Sequence, residues 1–370
     1  MKISVQITDL KKALQIVSRG VSVKPHLPIL SGILLRVKNS EVSLMSTDLE
    51  ISFWTRVPAS VDEEGELVVP ARIFGELMGS FVTGKMEIET KEDKMFLRTE
   101  GVSTEILCQT AADFPSIPRA GKTQVVIKSG EFRQKMDRIN ISSAKDDTRP
   151  VLTGILWEIE GKKTILAATD GFRLSVDEIE LSKNEIEDKQ KFVVPTKSLL
   201  EVSKVLSEIA REDFGVEFDV PSHQVVFGMG EVEISSRLIE GEFPPFRQIV
   251  PNTYKLKMSM RKEDLVVAVK RASLFAKDMA NVIKVEVEEK VLKVMSENTQ
   301  VGKNVTEVEA EVEGEKMIMA FNARYLLDYL AVAEGETVEW ETEGELKPSV
   351  FRSGKDENWI QVVMPIRVQG

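Results

Sequence analysis

The sequence predicts an α+β fold in which one unit is repeated three times, each copy carrying two helices packed on antiparallel sheets. Three observations lead there. The order of helical and strand-like segments recurs, matched motifs recur at a fixed offset of 122 residues, and proline-marked segments close the first two copies. A chain of 370 residues is also too long for one ordinary core and suits two or three domains.

Each copy opens with an amphipathic helix entered by a hydroxyl residue: TDLKKALQIVSRGVS from Thr8, SGEFRQKMDRINISSA from Ser129 and SMRKEDLVVAVKRASLFAK from Ser259. Those hydroxyls are expected to be N-caps. An apolar strand follows in LPILSGILLRV from Leu27, RPVLTGILWEI from Arg149 and ANVIKVEV from Ala280. Leu30 and Leu152 stand 122 positions apart, as do Ile33 and Ile155. A second strand then runs into a turn at Asp48 and, 122 residues on, at Asp170; Asn298 holds the place more loosely in the third copy. These aspartates are expected to turn the local backbone rather than to catalyse. A second helix follows in VVPARIFGELM from Val68, VVPTKSLLEVSKVL from Val193 and MAFNARYLLDYLAV from Met319. Pro70 and Pro195 suit a helix start, where a missing N–H costs nothing. Alternating segments such as KMEIET, VEFDV and TVEWETE close each unit as strands. Short turns between neighbours favour antiparallel pairing. The linkers ADFPSIPRAG and GEFPPFRQIVP divide the chain into 1–120, 121–250 and 251–370.

The net charge of −11 argues against nucleic acid when taken alone. The charge is unevenly spread. The helical windows 9–22, 71–82, 130–144, 196–210, 260–277 and 322–333 hold 15 lysines and arginines against 9 acids, which leaves −17 on the rest of the chain. In the first helix Leu10, Leu14 and Val17 form the buried stripe and Lys11, Gln15, Ser18, Arg19 and Ser22 the other face; in the fifth, Leu265, Ala268, Val269 and Ala272 are buried and Lys262, Lys270 and Arg271 point outward. Six helices turned the same way would present one basic surface on an acidic body, which phosphates attract at short range.

Catalytic and ligand signatures are missing. GSFVTGKM (79–86) has phosphate-loop spacing, but Met86 stands where Ser or Thr must reach magnesium, and the segment follows a helix instead of a strand. Asp146 and Asp147 read as a solvated loop beside Lys145 and Arg149. His26 and His223 are far apart, and the single cysteine, Cys108, excludes an internal disulfide and any cysteine-cluster metal site. No catalytic residue, metal or cofactor is expected. No run approaches a membrane span, and MKISVQITDL has no signal-type apolar stretch, so a cytoplasmic, membrane-free protein is expected.

The run AATDGFRLS (167–175) resembles the Thr-Asp-Gly-His-Arg-Leu signature of the bacterial DNA polymerase III beta subunit, the sliding clamp family. LPIL from 27, STDLE at 46–50, VVPAR at 68–72, ADFP at 112–115, EFPPFRQIVP at 242–251, FN at 321–322 and VVMPIR at 362–367 agree, in order, over essentially the whole chain. The resemblance implies three repeated clamp domains per chain and two chains closing head to tail into a six-domain ring, helices lining the hole. It implies a processivity factor without catalytic activity that encircles double-stranded DNA and tethers the replicative polymerase, the clamp loader and other proteins through short linear motifs. It places the peptide pocket at Leu152, Thr169, Gly171, Phe172, Arg173 and Leu174, at Pro244 and Ile249, and at Val362, Met364, Pro365, Ile366 and Arg367, with Arg173 and Arg367 on the rim. It places DNA-facing cations at Lys24, Arg72, Lys145 and Lys197, and an apolar homodimer contact at Ile106, Leu274 and Phe275. Phe172 stands where the family often has His, and Gln248 where it often has Arg. Pro245-Phe246 replaces the usual Asp-Tyr, Asp146 falls where the family can carry a DNA-contacting Gln, and Lys303 and Asn304 lie where acids are common at the seam.

Overall fold

The computed structural model describes residues 1–22, 24–277, 280–300, 302–353 and 358–367; Val368 to Gly370 lie outside them. Among the described residues the same order of elements occurs three times. The helices are α1 (Ile7–Val17), α2 (Ala71–Ser80), α3 (Ser129–Ile139), α4 (Thr196–Ile209), α5 (Lys262–Ala276) and α6 (Ala323–Val332), two per repeat, with antiparallel strands between them. The expected stripes are inside: Leu10, Leu14 and Val17 on α1, and Leu265, Ala268, Val269 and Ala272 on α5 are all buried.

The N-caps fall elsewhere than expected. α1 starts at Ile7 behind Gln6, so Thr8 lies within its first turn; Ser129 is the first residue of α3; Ser259 sits in the strand Leu256–Arg261. A strand runs directly into each of these helices, and its last residue occupies the cap position whatever its side chain. Asn322 does cap α6, its side chain accepting from the Arg324 N–H. GSFVTGKM leaves α2 and enters the strand Lys85–Lys91, the reverse of a phosphate loop.

The chain clusters into two compact units that cut across the repeats: residues 1–129, 181–185 and 197–238, and residues 130–180, 186–196 and 239–370. Strand pairing explains the cut. In the first unit the strands Gly65–Pro70, Gly32–Lys38, Glu41–Thr47 and Ile51–Val57 pair in that order. The last of them pairs antiparallel with Val232–Arg237 of the second repeat, Ile51 opposite Ser236. In the second unit Gln190–Pro195, Gly154–Glu160, Lys163–Thr169 and Arg173–Asn184 pair in the same order. The last of these pairs with Ile360–Val363 of the third repeat, Arg173 opposite Val363. Each junction between repeats is thus made by the same two strand positions.

Two strands at those positions have no neighbour on their outer side among the described residues. In the first unit a five-stranded sheet ends on Val102–Leu107. In the second, the first half of Gly302–Gly314 pairs only with Val291–Asn298. The first is the repeat counterpart of Val232–Arg237 and Ile360–Val363; the second is the counterpart of Ile51–Val57 and Arg173–Asn184.

Candidate peptide pocket and nucleic-acid surface

All of the expected pocket residues lie in the second unit. The turn after strand Lys163–Thr169 is built by side chains on their own backbone. The Thr169 hydroxyl donates to the Arg173 carbonyl (2.6 Å) and accepts the Gly171 N–H (3.0 Å), while Asp170 Oδ1 accepts the N–H groups of Phe172 (2.9 Å) and Arg173 (3.0 Å). Gly171 is left-handed (φ 92°), and a side chain there would strike Arg149, whose guanidinium lies 2.9 Å from the position of a Cβ. The turn therefore holds Phe172 outward, 59% exposed. The C-terminal segment passes beside it: the Met364 N–H bonds the Phe172 carbonyl (2.8 Å), and the Ile366 N–H bonds the Ala320 carbonyl (2.7 Å). Met364, Pro365 and Ile366 are half-buried and Arg367 is exposed.

Leu152, Leu174 and Val362 are buried, and Leu174 and Val362 pack in one cluster with Leu156, Val193, Phe246 and Val350. They form a floor and offer little surface. Pro244 and Ile249, from the linker, are half-buried, with Ile249 against that cluster. Arg247 holds the linker in place. Its guanidinium Nη1 donates to Glu158 (3.0 Å), a carboxylate only 1% exposed that also meets Lys189 at 2.7 Å. Hydrogen bonding from Arg247, supported by Lys189 and opposed by burial, holds the Glu158 carboxyl down at about 2. A depressed carboxyl stabilises the fold above its unfolded value of 4.5, and this contribution is lost as pH falls from there toward 2. Glu158→Gln is expected to cost about 2 kcal/mol near neutral pH. The gap from the parent should narrow as melts are repeated from neutral pH down to about pH 3; a gap constant with pH would show that the carboxylate charge does not matter.

Arg173 is not a rim residue. It is 5% exposed, bonded to Asp170 (3.0 Å) and to Asp328 of α6 (2.7 Å), and it lies over the Tyr325 ring at 4.4 Å. Two carboxylates and an aromatic face satisfy its charge inside the protein, so it serves as a strut. The exposed arginine at the turn is Arg149, whose Nη2 donates to the Asp170 carbonyl at 2.9 Å. Sequence reasoning passed over Arg149, Arg247, Tyr325 and Asp328. The available signal was Arg149 itself, a cation at the head of a motif whose first copy begins with Leu27.

The expected DNA-facing residues Lys24, Arg72, Lys145 and Lys197 are all exposed. Arg72 lies 3.9 Å from Glu76, and Lys197 donates to Asp48 at 3.2 Å. Not every helix cation is available. Lys135 and Arg138 of α3 are buried on Asp177, Arg19 is bonded to Glu201 (3.1 Å) and Glu208 of α4, and Lys11 donates to the Phe81 carbonyl at the end of α2 (2.7 Å). Lys262, expected to point outward, is half-buried and donates to the Ala333 carbonyl (2.9 Å), while Lys270 and Arg271 are exposed.

At the expected dimer contact, Leu274 is 62% exposed and Phe275 half-buried, but Ile106 is 4% exposed and faces the interior of its own sheet. Alternation along the strand turns Leu107 outward instead, 63% exposed. Burial pushes the Cys108 thiol up to about 11, which leaves it a weak nucleophile.

Models of the DNA polymerase III beta subunit match the chain in three consecutive parts: the N-terminal domain over residues 1–118, the central domain over 126–245 and the C-terminal domain over 247–367. The chain belongs to the DNA polymerase III beta subunit family. Its membership shows in relatives as well. The beta sliding clamp of Staphylococcus aureus is 31% identical over 361 residues, covering 94% of each chain. Among solved structures, the DNA polymerase sliding clamp of Bacillus subtilis superposes with a TM-score of 0.94 at 27% identity, and the DNA polymerase III subunit beta of Pseudomonas aeruginosa does so with the same values. Both are covered over 100% of each chain. The three-copy α+β organisation read from the residues is that of this beta subunit family.

Proposed function

We propose that two copies of this chain close head to tail into a ring around duplex DNA and act as a non-catalytic sliding clamp for the replicative polymerase. The observation that carries the reading is the pair of open sheet edges. Within the chain, repeats are joined by pairing Ile51–Val57 with Val232–Arg237 and Arg173–Asn184 with Ile360–Val363. The strands left over, Gly302–Gly314 and Val102–Leu107, are the two counterparts of those partners. Pairing the first from one copy with the second from another repeats the internal junction and closes both of these edges. Leu107 and Leu274 then supply the exposed apolar surface beside the new pairing, with Phe275 behind and Ile106 underneath as support.

Six repeats would bring to one opening the outward cations of twelve helices, Arg72 and Lys197 among them, together with Lys24 and Lys145 from the loops that follow α1 and α3. The rest of the acidic surface would repel phosphate, so retention would be topological and sliding unhindered. The domain limits that accompany this reading are 1–120, 121–250 and 251–370. The turn at Phe172 with Met364, Pro365, Ile366 and Arg367 seats the apolar anchor of an extended peptide from the polymerase, the clamp loader or a repair protein. Neither a metal nor a cofactor enters the function. No helix among the described residues is long and apolar enough to cross a membrane. The site of action in this reading is the cytoplasm.

The loaded protein should remain on nicked circular DNA and leave once the circle is cut; equal retention on both forms would overturn the ring. Leu107→Asp and Leu274→Asp should each raise the dimer dissociation constant roughly 100-fold in sedimentation. Ile106→Val, a change buried within one copy, should leave it near the parent value.

A further inference from the structure

The turn that carries Phe172 has a counterpart 122 residues earlier, and the bonds made by its threonine, its aspartate and the closing strand recur there. The Thr47 hydroxyl donates to the Ile51 carbonyl (3.1 Å) and accepts the Leu49 N–H (3.0 Å), as Thr169 does for Arg173 and Gly171. The Arg237 N–H bonds the Glu50 carbonyl (3.0 Å), as the Met364 N–H bonds that of Phe172 (2.8 Å). Arg237 therefore occupies in the first unit the place that Met364 occupies in the second.

This turn borders a groove of about 360 Å³, lined by Leu49, Pro115, Ser116, Gln224, Ser235 and Arg237, among others. Pro115 comes from the first linker, as Pro244 comes from the second. The groove is built on the same turn, closing strand and linker positions as the Phe172 site, with a different chemistry. Serine and arginine replace valine and methionine along the closing strand, and Glu50 replaces Phe172. Among the described residues the Arg237 guanidinium, the Gln224 amide and the Ser116 and Ser235 side chains carry no hydrogen bond or ion pair. Asp48 is already engaged, with Oδ1 on the N–H groups of Glu50 and Ile51 and Oδ2 on Lys197. At the rim Leu49 is 42% exposed and left-handed (φ 79°), a conformation a leucine adopts only at a cost, where the other copy has Gly171.

We propose that this groove is a second peptide site, which takes an extended peptide through an aspartate or glutamate side chain. The inference rests on the reading of the Phe172 turn as a peptide pocket. Arg237 offers the carboxylate a two-pronged donor, Gln224 and the serines add neutral donors, and Leu49 with Pro115 covers the aliphatic part of the next residue. Glu50 is a competing acid at the mouth, exposed and free to swing away, and it sets a preference against peptides with several adjacent carboxylates.

The test is methyl NMR on the full chain, with Leu49 reporting on the groove and Met364 on the tail pocket. The probes are acetyl-Ala-Leu-Asp-Leu-Ala-amide and the same peptide with Asn for Asp. A saturable shift of the Leu49 methyls is expected with the Asp peptide. It should weaken roughly tenfold with the Asn peptide or in Arg237→Gln, recover in part in Arg237→Lys, and strengthen in Glu50→Gln. Movement of Met364 with Leu49 unmoved would overturn this proposal and leave the tail pocket standing. Movement of Leu49 alone would support the groove and count against the tail pocket; no movement at either would overturn both. Equal shifts with the Asp and Asn peptides would overturn the carboxylate chemistry. A Leu49 shift that grows with chain concentration before any peptide is added would assign the groove to a second copy and overturn the proposal as well.

Discussion

Removing Met364 to Gly370 is expected to abolish capture of partner peptides, a loss of at least roughly 100-fold in direct titration, while the fold and the dimer persist. The expectation follows from how the segment is held. Its described residues, 364–367, contribute two backbone hydrogen bonds, from Met364 to Phe172 and from Ile366 to Ala320, worth about 1 kcal/mol each in net stability. The buried floor, Leu174 and Val362 among it, stays with the sheet. The half-buried Met364, Pro365 and Ile366 go, and with them the surface that an apolar anchor would desolvate. The two arginines of the turn separate a binding effect from a folding one. Arg149→Ala removes an exposed guanidinium and should weaken binding with little change in melting temperature. Arg173→Ala strips Asp170 and Asp328 of their common partner and should lower the melting temperature by several degrees. Peptide affinity unchanged by the truncation would remove the pocket from this surface.

Much of this was legible because it is local. The Thr-Asp pairs 122 residues apart encode one turn, and the hydrogen bonds of Asp48 and Asp170 to the N–H groups two and three residues ahead are what such residues do in turns. The apolar stripes of α1 and α5 set their buried faces directly. What was not legible depends on distant partners. The fusion of Ile51–Val57 with Val232–Arg237 leaves no mark in either segment, so the compact units cross the repeats that sequence offsets define. The strand VSTEIL has a period of two, but its phase belongs to the sheet it covers, and this exchanged Ile106 for Leu107 as the exposed residue. The motif around Arg173 says nothing of its burial, because Asp328 and Tyr325, the groups that bury it, come from a helix about 155 residues away.

The same dependence on distant partners governs the largest expected effect on stability. Asp177 is fully buried on strand Arg173–Asn184, with Lys135 Nζ at 2.9 Å and Arg138 at 3.7 Å from its carboxylate, both cations themselves buried on α3. Arg138 also reaches into the third repeat, to Glu334 at 3.0 Å and over the Trp359 ring at 5.1 Å. Asp177 thus lies against both cations, one of which also reaches the last repeat. Asp177→Ala would take from two buried cations the carboxylate that lies against both, a loss of about 3–5 kcal/mol and a correspondingly lower melting temperature for the second unit. Asp177→Asn should cost less, since an amide oxygen still accepts from Lys135. Pairing Asp177→Leu with Lys135→Met should recover part of the loss, because apolar groups of similar volume need no counter-ion. A single Asp177→Ala variant that melts with the parent would show that the buried charges are balanced elsewhere.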